Sequence, residues 1–234
     1  MINPTRFSSA IRISYNMGSL AVIPDIKCRS PKEGDLLRGR DPLEVAKNLV
    51  TCGSPVISVV TEAKDFGGSL ELLRCIASSV NVPVLRKDFI TTIDEINITV
   101  EHGASAVLLI CAYLDEQKLS LLHDAALNMG VEPLVEVHSE VEMAMAKRVG
   151  AHLIAINNRN IVDLERDDGG PDLTISLISS APRDAVMISA SGINTPQEAA
   201  LLVKTGVHGV LVGTALWLAE DIDEKYNSLR VESR

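Results

Sequence analysis

The stretch VPVLRKDFITTIDEINITVEHGASAVLLIC, residues 82–111, decides the fold. It opens on a short apolar run, Val82–Lys87, passes into a segment of 3.6-residue periodicity, Ile93–His102, and returns to an apolar run, Ala106–Cys111. Strand, helix and strand in that succession make a βαβ unit with parallel strands. Runs apolar on every residue mark a sheet buried on both faces.

Outward from this unit the same alternation continues in both directions. Further strands are expected at Leu20–Lys27, Val56–Thr61, Leu134–Val137, Leu153–Asn157, Val186–Ser189 and Gly209–Gly213. Helices are expected at Pro42–Thr51, Gly68–Ser79, Glu116–Met129, Glu140–Val149, Leu173–Ser180, Pro196–Thr205 and about Ala219–Ser228. Eight strand–helix pairs without a composition break leave a closed barrel or a doubly wound sheet. A doubly wound sheet would carry a G-x-G-x-x-G turn after its first strand, whereas this strand ends Ile26-Lys27-Cys28. The reading is therefore α/β, a (β/α)8 TIM barrel, with residues 1–234 as one domain. The barrel itself spans about 20–230, and residues 1–19 form a short N-terminal segment without a clear amphipathic helix.

Composition agrees. Aromatic residues make up only 3% of the 234 residues, so Val, Ile, Leu and Ala must build the core. A net charge of −9 disfavours nucleic acid and anionic membrane as partners, so a phosphate site must be local, made of a few lysines and backbone amides. The four cysteines, Cys28, Cys52, Cys75 and Cys111, form no C-x-x-C pair, and the five histidines show no metal-ligand spacing. Neither a secretory leader nor an apolar run of membrane length is present. A cytoplasmic protein with reduced thiols and no metal is expected.

Barrel chemistry sits at the C-terminal ends of the strands. Those ends read Asp25 and Lys27; Thr61-Glu62; Lys87-Asp88-Phe89; Ile110-Cys111; Glu136; Asn157 and Arg159; Ser189 and Ser191-Gly192; Gly213-Thr214. Gly192 and Gly213 each open a turn before a helix, where a phosphate can approach backbone N–H groups. Lys27, Lys87 and Glu136 leave the core as charges that need each other or a ligand. A lysine among other cations can act as a general acid. Asn157 and Arg159 share a face and suit hydroxyl and carboxylate recognition, or capping of the loop that follows. The triplet Asp65-Phe66-Gly67 matches a kinase motif by chance, because no glycine-rich loop or H-R-D accompanies it.

These strand ends resemble the indole-3-glycerol-phosphate synthase family of tryptophan biosynthesis, over roughly Val22 to Leu216. The resemblance rests on Ile26-Lys27-x-x-Ser30-Pro31, Ile57-Ser58-Val59-Val60-Thr61-Glu62, Pro83 to Phe89, Val107 to Ile110, Pro133 to His138, Ile156 to Arg159, Ser191-Gly192-Ile193 and Leu211-Val212-Gly213. It implies closure of the indole ring of 1-(2-carboxyphenylamino)-1-deoxyribulose 5-phosphate with loss of carbon dioxide and water, without metal or cofactor. It further implies Lys87 as general acid, Glu136 for charge stabilisation and proton transfer, and Lys27 at the phosphate or carboxylate and in dehydration. Asp25 completes the catalytic group. Asn157, Arg159, Ser191 and Phe89 would bind the rest of the substrate, and Gly192, Gly213, Thr214 and Lys27 the phosphate.

Three features depart from that family. Asp25 and Ala190 stand where it has glutamates, and only about twenty residues precede the first strand, without the helix that covers the family's site. The alternatives implied are a paralogue lyase or cyclase on another phosphorylated ketose amine, or a non-catalytic barrel that binds a phosphorylated ligand.

Overall fold

The computed structural model describes residues 6–162, 164 and 169–233. The eight barrel strands follow in chain order: β1 Ala21–Ile26, β2 Ile57–Val60, β3 Val84–Lys87, β4 Ala106–Ile110, β5 Glu132–Val137, β6 Leu153–Asn157, β7 Val186–Ala190 and β8 Gly209–Val212, with a two-residue hairpin pair, Arg29–Ser30 and Gly34–Asp35, outside the barrel after β1. Each barrel strand pairs in parallel with its sequence neighbours, and β1 closes the circle by pairing with both β8 and β2. The expected (β/α)8 barrel is the observed one.

Around it run α2 Pro42–Thr51, α3 Leu70–Ser79, α4 Ile93–Glu101, α5 Glu116–Asn128, α6 Glu140–Arg148, α7 Asp172–Leu177 and α8 Pro196–Val203, after an N-terminal α1, Phe7–Asn16. Side chains start most of these helices sharply. Thr92 with Glu95 and Thr195 with Glu198 form capping boxes, and Ser69, Asp115 and Ser139 each accept a first-turn amide.

Strand alternation divides the core into two shells. Inward residues such as Ile23, Leu85, Leu108, Leu134, Ala155, Ile188 and Leu211 fill the barrel. Outward ones such as Val22, Val84, Val107 and Ile154 pack under the helices. On β3 this parity turns Arg86 outward, where its guanidinium donates to Thr61 Oγ1, Glu95 O, Thr99 Oγ1 and Asp88 Oδ2. Lys87, one residue on, faces the barrel mouth.

The N-terminal segment corrects the sequence reading. Phe7–Asn16 is an amphipathic helix whose Phe7 and Ile11 are fully buried with the strand-start residues Ala21, Val56, Ala106, Leu153 and Val186. It therefore plugs the bottom of the barrel. Its first turn is held by Glu132, which accepts from the Ser8 main-chain N–H at 2.9 Å and from the Ser8 hydroxyl. β5 begins at Glu132, before the expected Leu134, because Glu132 and Pro133 already pair with Ala106 and Val107 of β4. The last expected helix, about Ala219–Ser228, is α10 at Ile222–Leu229, and a short α9 at Thr214–Trp217, which the sequence reading did not anticipate, precedes it directly after β8. The seventh keeps regular geometry only to Leu177 before a 3-10 turn. No described helix is long and apolar enough to cross a membrane.

Candidate active site

The mouth of the barrel holds a polar cup walled by Asp25, Lys27, Lys87, Arg159, the turn Ser191 to Asn194, and the turn Leu211 to Ala215. Inward parity puts them there. Asp25 continues the inward series of β1, Lys87 that of β3 after Leu85, and Arg159 that of β6 after Asn157. On a chain of net charge −9, this wall gathers three cations against one carboxylate. Such an excess of positive charge suits an anion.

Glycine makes the room. A side chain at Gly213 would meet Asp25 Cβ at 3.2 Å and Lys27 Cε at 3.4 Å. One at Gly192 would meet the Gly170 backbone nitrogen at 2.6 Å, so the turns after β6 and β7 touch backbone to backbone. Ser191 and Gly192 are both left-handed, with φ of 61° and 70°; for a serine that conformation is strained and is sustained by its surroundings. The brace is Asn158, which faces outward between Asn157 and Arg159. Its amide donates to Ser189 Oγ, Ala190 O and Ser191 O, and its oxygen accepts from the Thr174 amide and hydroxyl. Ser189 is thereby turned away from the mouth, contrary to the sequence reading.

The two glycine turns are not equivalent as anion seats. The N-terminus of α8 is already occupied, because Glu198 accepts from the amides of Asn194 and Thr195. The N-terminus of α9 carries no side-chain cap, and the Thr214 hydroxyl there is buried without a hydrogen-bond partner among the described residues. Behind it, Trp217 Nε1 donates to the Asp25 main-chain oxygen at 2.9 Å, and the Asp25 carboxylate accepts from Ser58 Oγ at 2.6 Å.

Beside the cup lies an apolar recess walled by Val60, Phe66, Phe89, Leu108, Ile110 and Ile161, with Glu62, Lys87 and Asp88 at its edge. Lys87 belongs to both walls. Phe89 is fixed edge-on against Tyr113 at a centroid distance of 5.1 Å. Phe66 receives Lys27 Nζ at 5.6 Å and Lys87 Nζ at 6.0 Å from its ring centroid, so one aromatic ring gathers both ammonium groups. Sequence reading set Phe66 aside with its chance triplet; its place in the loop after β2, where barrels carry chemistry, was the available signal. That loop is folded onto Glu62, whose carboxylate accepts from the amides of Lys64, Asp65 and Phe66.

Glu136 and Asn157 lie deeper, outside both cavity walls. Glu136 is 1% exposed beneath the mouth, with His138 beside it. Asn157 is fully buried, and its side-chain oxygen accepts from the Arg159 amide, the capping role considered for it. Cys111 is buried near them, and burial pushes its thiol well above the ordinary range, with the charges of Glu142 and Glu136 adding to the effect. Such a thiol is no nucleophile. A roomier cleft of about 400 Å³ lies at the opposite end, walled by residues such as Arg6, Pro83, Ser105 and Glu132, with none of the strand-end residues in it.

Comparison with known proteins accords with this geometry. Residues 3–229 match the family model described as Indole-3-glycerol phosphate synthase. The protein of that name from Pyrococcus furiosus is 44% identical over 86% of this chain and 87% of its own length. Those from Thermococcus kodakarensis and Streptococcus sanguinis are 43% and 40% identical, over 87% and 91% of this chain and 89% and 82% of their own lengths.

Proposed function

The chain belongs to the indole-3-glycerol phosphate synthase family, and on that premise we propose that its barrel mouth closes the indole ring of 1-(2-carboxyphenylamino)-1-deoxyribulose 5-phosphate, releasing carbon dioxide and then water. The observation that carries this reading is the double membership of Lys87, which stands where the polar cup meets the apolar recess. A substrate with a phosphate at one end and an aryl group at the other spans those two regions, and its ribulose C2 carbonyl then falls beside the Lys87 ammonium.

In this reading the phosphate rests on the amides of Gly213 and Thr214, the Thr214 hydroxyl, the Gly192 turn and Lys27. The aryl ring enters between Phe66, Phe89 and Ile161. Lys87 donates a proton to the C2 oxygen as the ring carbon that bears the carboxylate attacks C2. Decarboxylation restores the aromatic ring, and loss of the C2 hydroxyl as water completes the indole. Glu136 offsets the positive charge that develops and takes part in proton transfer, while Lys27 assists the departure of water. Asp25, held by Ser58, offsets the two lysines. Arg159, braced through Asn157, and Ser191 hold the substrate carboxylate and hydroxyls.

A second reading is favoured by Asp25, which shortens one carboxylate of the family pattern, and by Ala190, which removes another. In it the enzyme acts on another phosphorylated ketose amine. One experiment separates the readings: purified protein is given the carboxyphenylamino-deoxyribulose phosphate, and indole absorbance and carbon dioxide release are followed. Turnover supports the first reading. Binding without turnover marks a non-catalytic barrel, and neither result points to the other ketose amine.

A further inference from the structure

β5 leaves the barrel through Glu136, Val137 and His138, and strand parity sends Glu136 and His138 toward the same side. His138 Nε2 lies 3.5 Å from Glu136 Oε1, while its Nδ1 lies 3.2 Å from Glu142 Oε2. That same Glu142 oxygen accepts from the His138 main-chain N–H at 2.6 Å, and the Glu142 amide is tied to Ser139 Oγ at the start of α6. The imidazole is thus held by its own backbone partner, with a carboxylate on each edge.

A neutral imidazole has one N–H and one lone pair. Between two carboxylates it would aim that lone pair at a negative oxygen. Only the doubly protonated ring offers an N–H to each. The alternative is a neutral ring with the proton on Glu136. Cys111 and Tyr113 also lie within reach of these charges. Burial raises both, the glutamate charges raise them further, and so neither competes for the proton. Exposure grades outward, from 1% at Glu136 to 15% at His138 and 20% at Glu142.

We propose that His138 is a positioning residue that relays protons for Glu136, with Glu142 fixing its ring. The Nε2 proton of the imidazolium passes to Glu136 Oε1, and Glu136 delivers it to the reacting substrate; a carboxylate and a neutral ring result, the latter still giving its Nδ1–H to Glu142. When Glu136 later takes a proton from the substrate, that proton returns to the Nε2 lone pair and the imidazolium is restored. The inference rests on the reading of Glu136 as the site's acid–base group.

Two measurements on the full chain test it: a 15N titration of the histidine rings, and kcat against pH on the carboxyphenylamino-deoxyribulose phosphate. In the wild type the His138 ring stays doubly protonated well above the ordinary histidine value of about 6.5, and Glu142→Gln lowers its titration by about one pH unit. His138→Gln reduces kcat by about tenfold, leaves KM within about twofold, and displaces the pH at which kcat falls by about one unit. A His138 ring that titrates in the ordinary range and ignores Glu142→Gln would overturn the proposal. So would a His138→Gln profile superimposable on that of the wild type. If His138→Gln does not fold, Glu142→Gln decides by the same profile. A wild type without turnover counts against the function, and the ring titration still decides the relay.

Discussion

The two ends of this barrel are made from the same eight strands, yet they handle charge in opposite ways. At the bottom, Glu132 is buried and satisfied within the fold, accepting from the Ser8 amide and hydroxyl with His152 3.4 Å away. Phe7 and Ile11 seal the remaining space. At the mouth, Lys27, Lys87 and Arg159 line an open cup, glycines keep side chains out of it, and a serine is held in a strained conformation. A charge answered by the protein's own groups contributes stability. Charges gathered with room between them are arranged for something that arrives from outside.

The largest effect expected separates the ends completely. Lys87→Met should lower kcat by about 10²–10⁴, the loss typical of a missing general acid, while leaving the melting temperature unchanged or raised. Steady-state kinetics beside a thermal melt would show it, and near-native activity would remove Lys87 from the chemistry. Phe7→Ala is its mirror. Loss of a buried phenyl ring should cost about 3–5 kcal/mol in urea unfolding, with kcat per folded molecule intact. A change in kcat would mean that the plug communicates with the mouth.

Smaller in size, and sharper as a test of the mouth, is the double substitution Asp25→Glu with Ala190→Glu. Returning both glutamates should raise kcat/KM on the anthranilate-derived substrate at least about tenfold, or roughly 1.4 kcal/mol. Both positions face the barrel interior near its mouth, so the single variants should not add. No gain would show a mouth already matched to its substrate.

The smallest effect belongs to the bottom. His208 lies against Tyr15 of α1, and its Nδ1 accepts from the Met187 amide at 3.2 Å. Burial first, and Arg12 second, push its pKa below the ordinary value. The folded state therefore binds this proton less readily than the unfolded chain. The resulting stability is present above about pH 6.5 and is lost as pH falls through the depressed native value. The melting temperature of the wild type should drop between pH 7 and 5 more than that of His208→Asn, whose amide oxygen keeps the acceptor without the titration. Equal slopes would assign the acid sensitivity elsewhere.

How legible each end was follows from its physics. The strands were legible because burial on both faces leaves no polar residue to interrupt them, and the strand-end residues because a charge at the end of an apolar run stands out. Eight of the eleven site residues named from sequence line the cup, and Phe89 lines the recess. Helix α1 was missed because two anchors, Phe7 and Ile11, do its work among serines and arginines. A ten-residue helix with so little apolar surface owes its existence to the barrel floor. Phe66 was missed because its importance comes from two lysines distant in sequence. Asn158 was hidden by parity, since adjacent asparagines look alike in sequence and face opposite ways in the strand. Similarly, α9 is four residues long and has no cap to announce it.

Trp217, the chain's one tryptophan, donates its indole hydrogen to Asp25 O from a fully buried position and carries the Arg40 guanidinium 5.5 Å from its ring. The protein thus contains a single indole fluorophore, three residues past the Thr214 hydroxyl and in contact with the backbone of the first mouth carboxylate. Its emission should be blue-shifted, and occupation of the cup should alter its intensity, so that the arrival of inorganic phosphate can be read optically without any label. The same fact sets the background in a turnover assay, because every molecule of catalyst already emits as one molecule of the heterocycle whose formation is being watched.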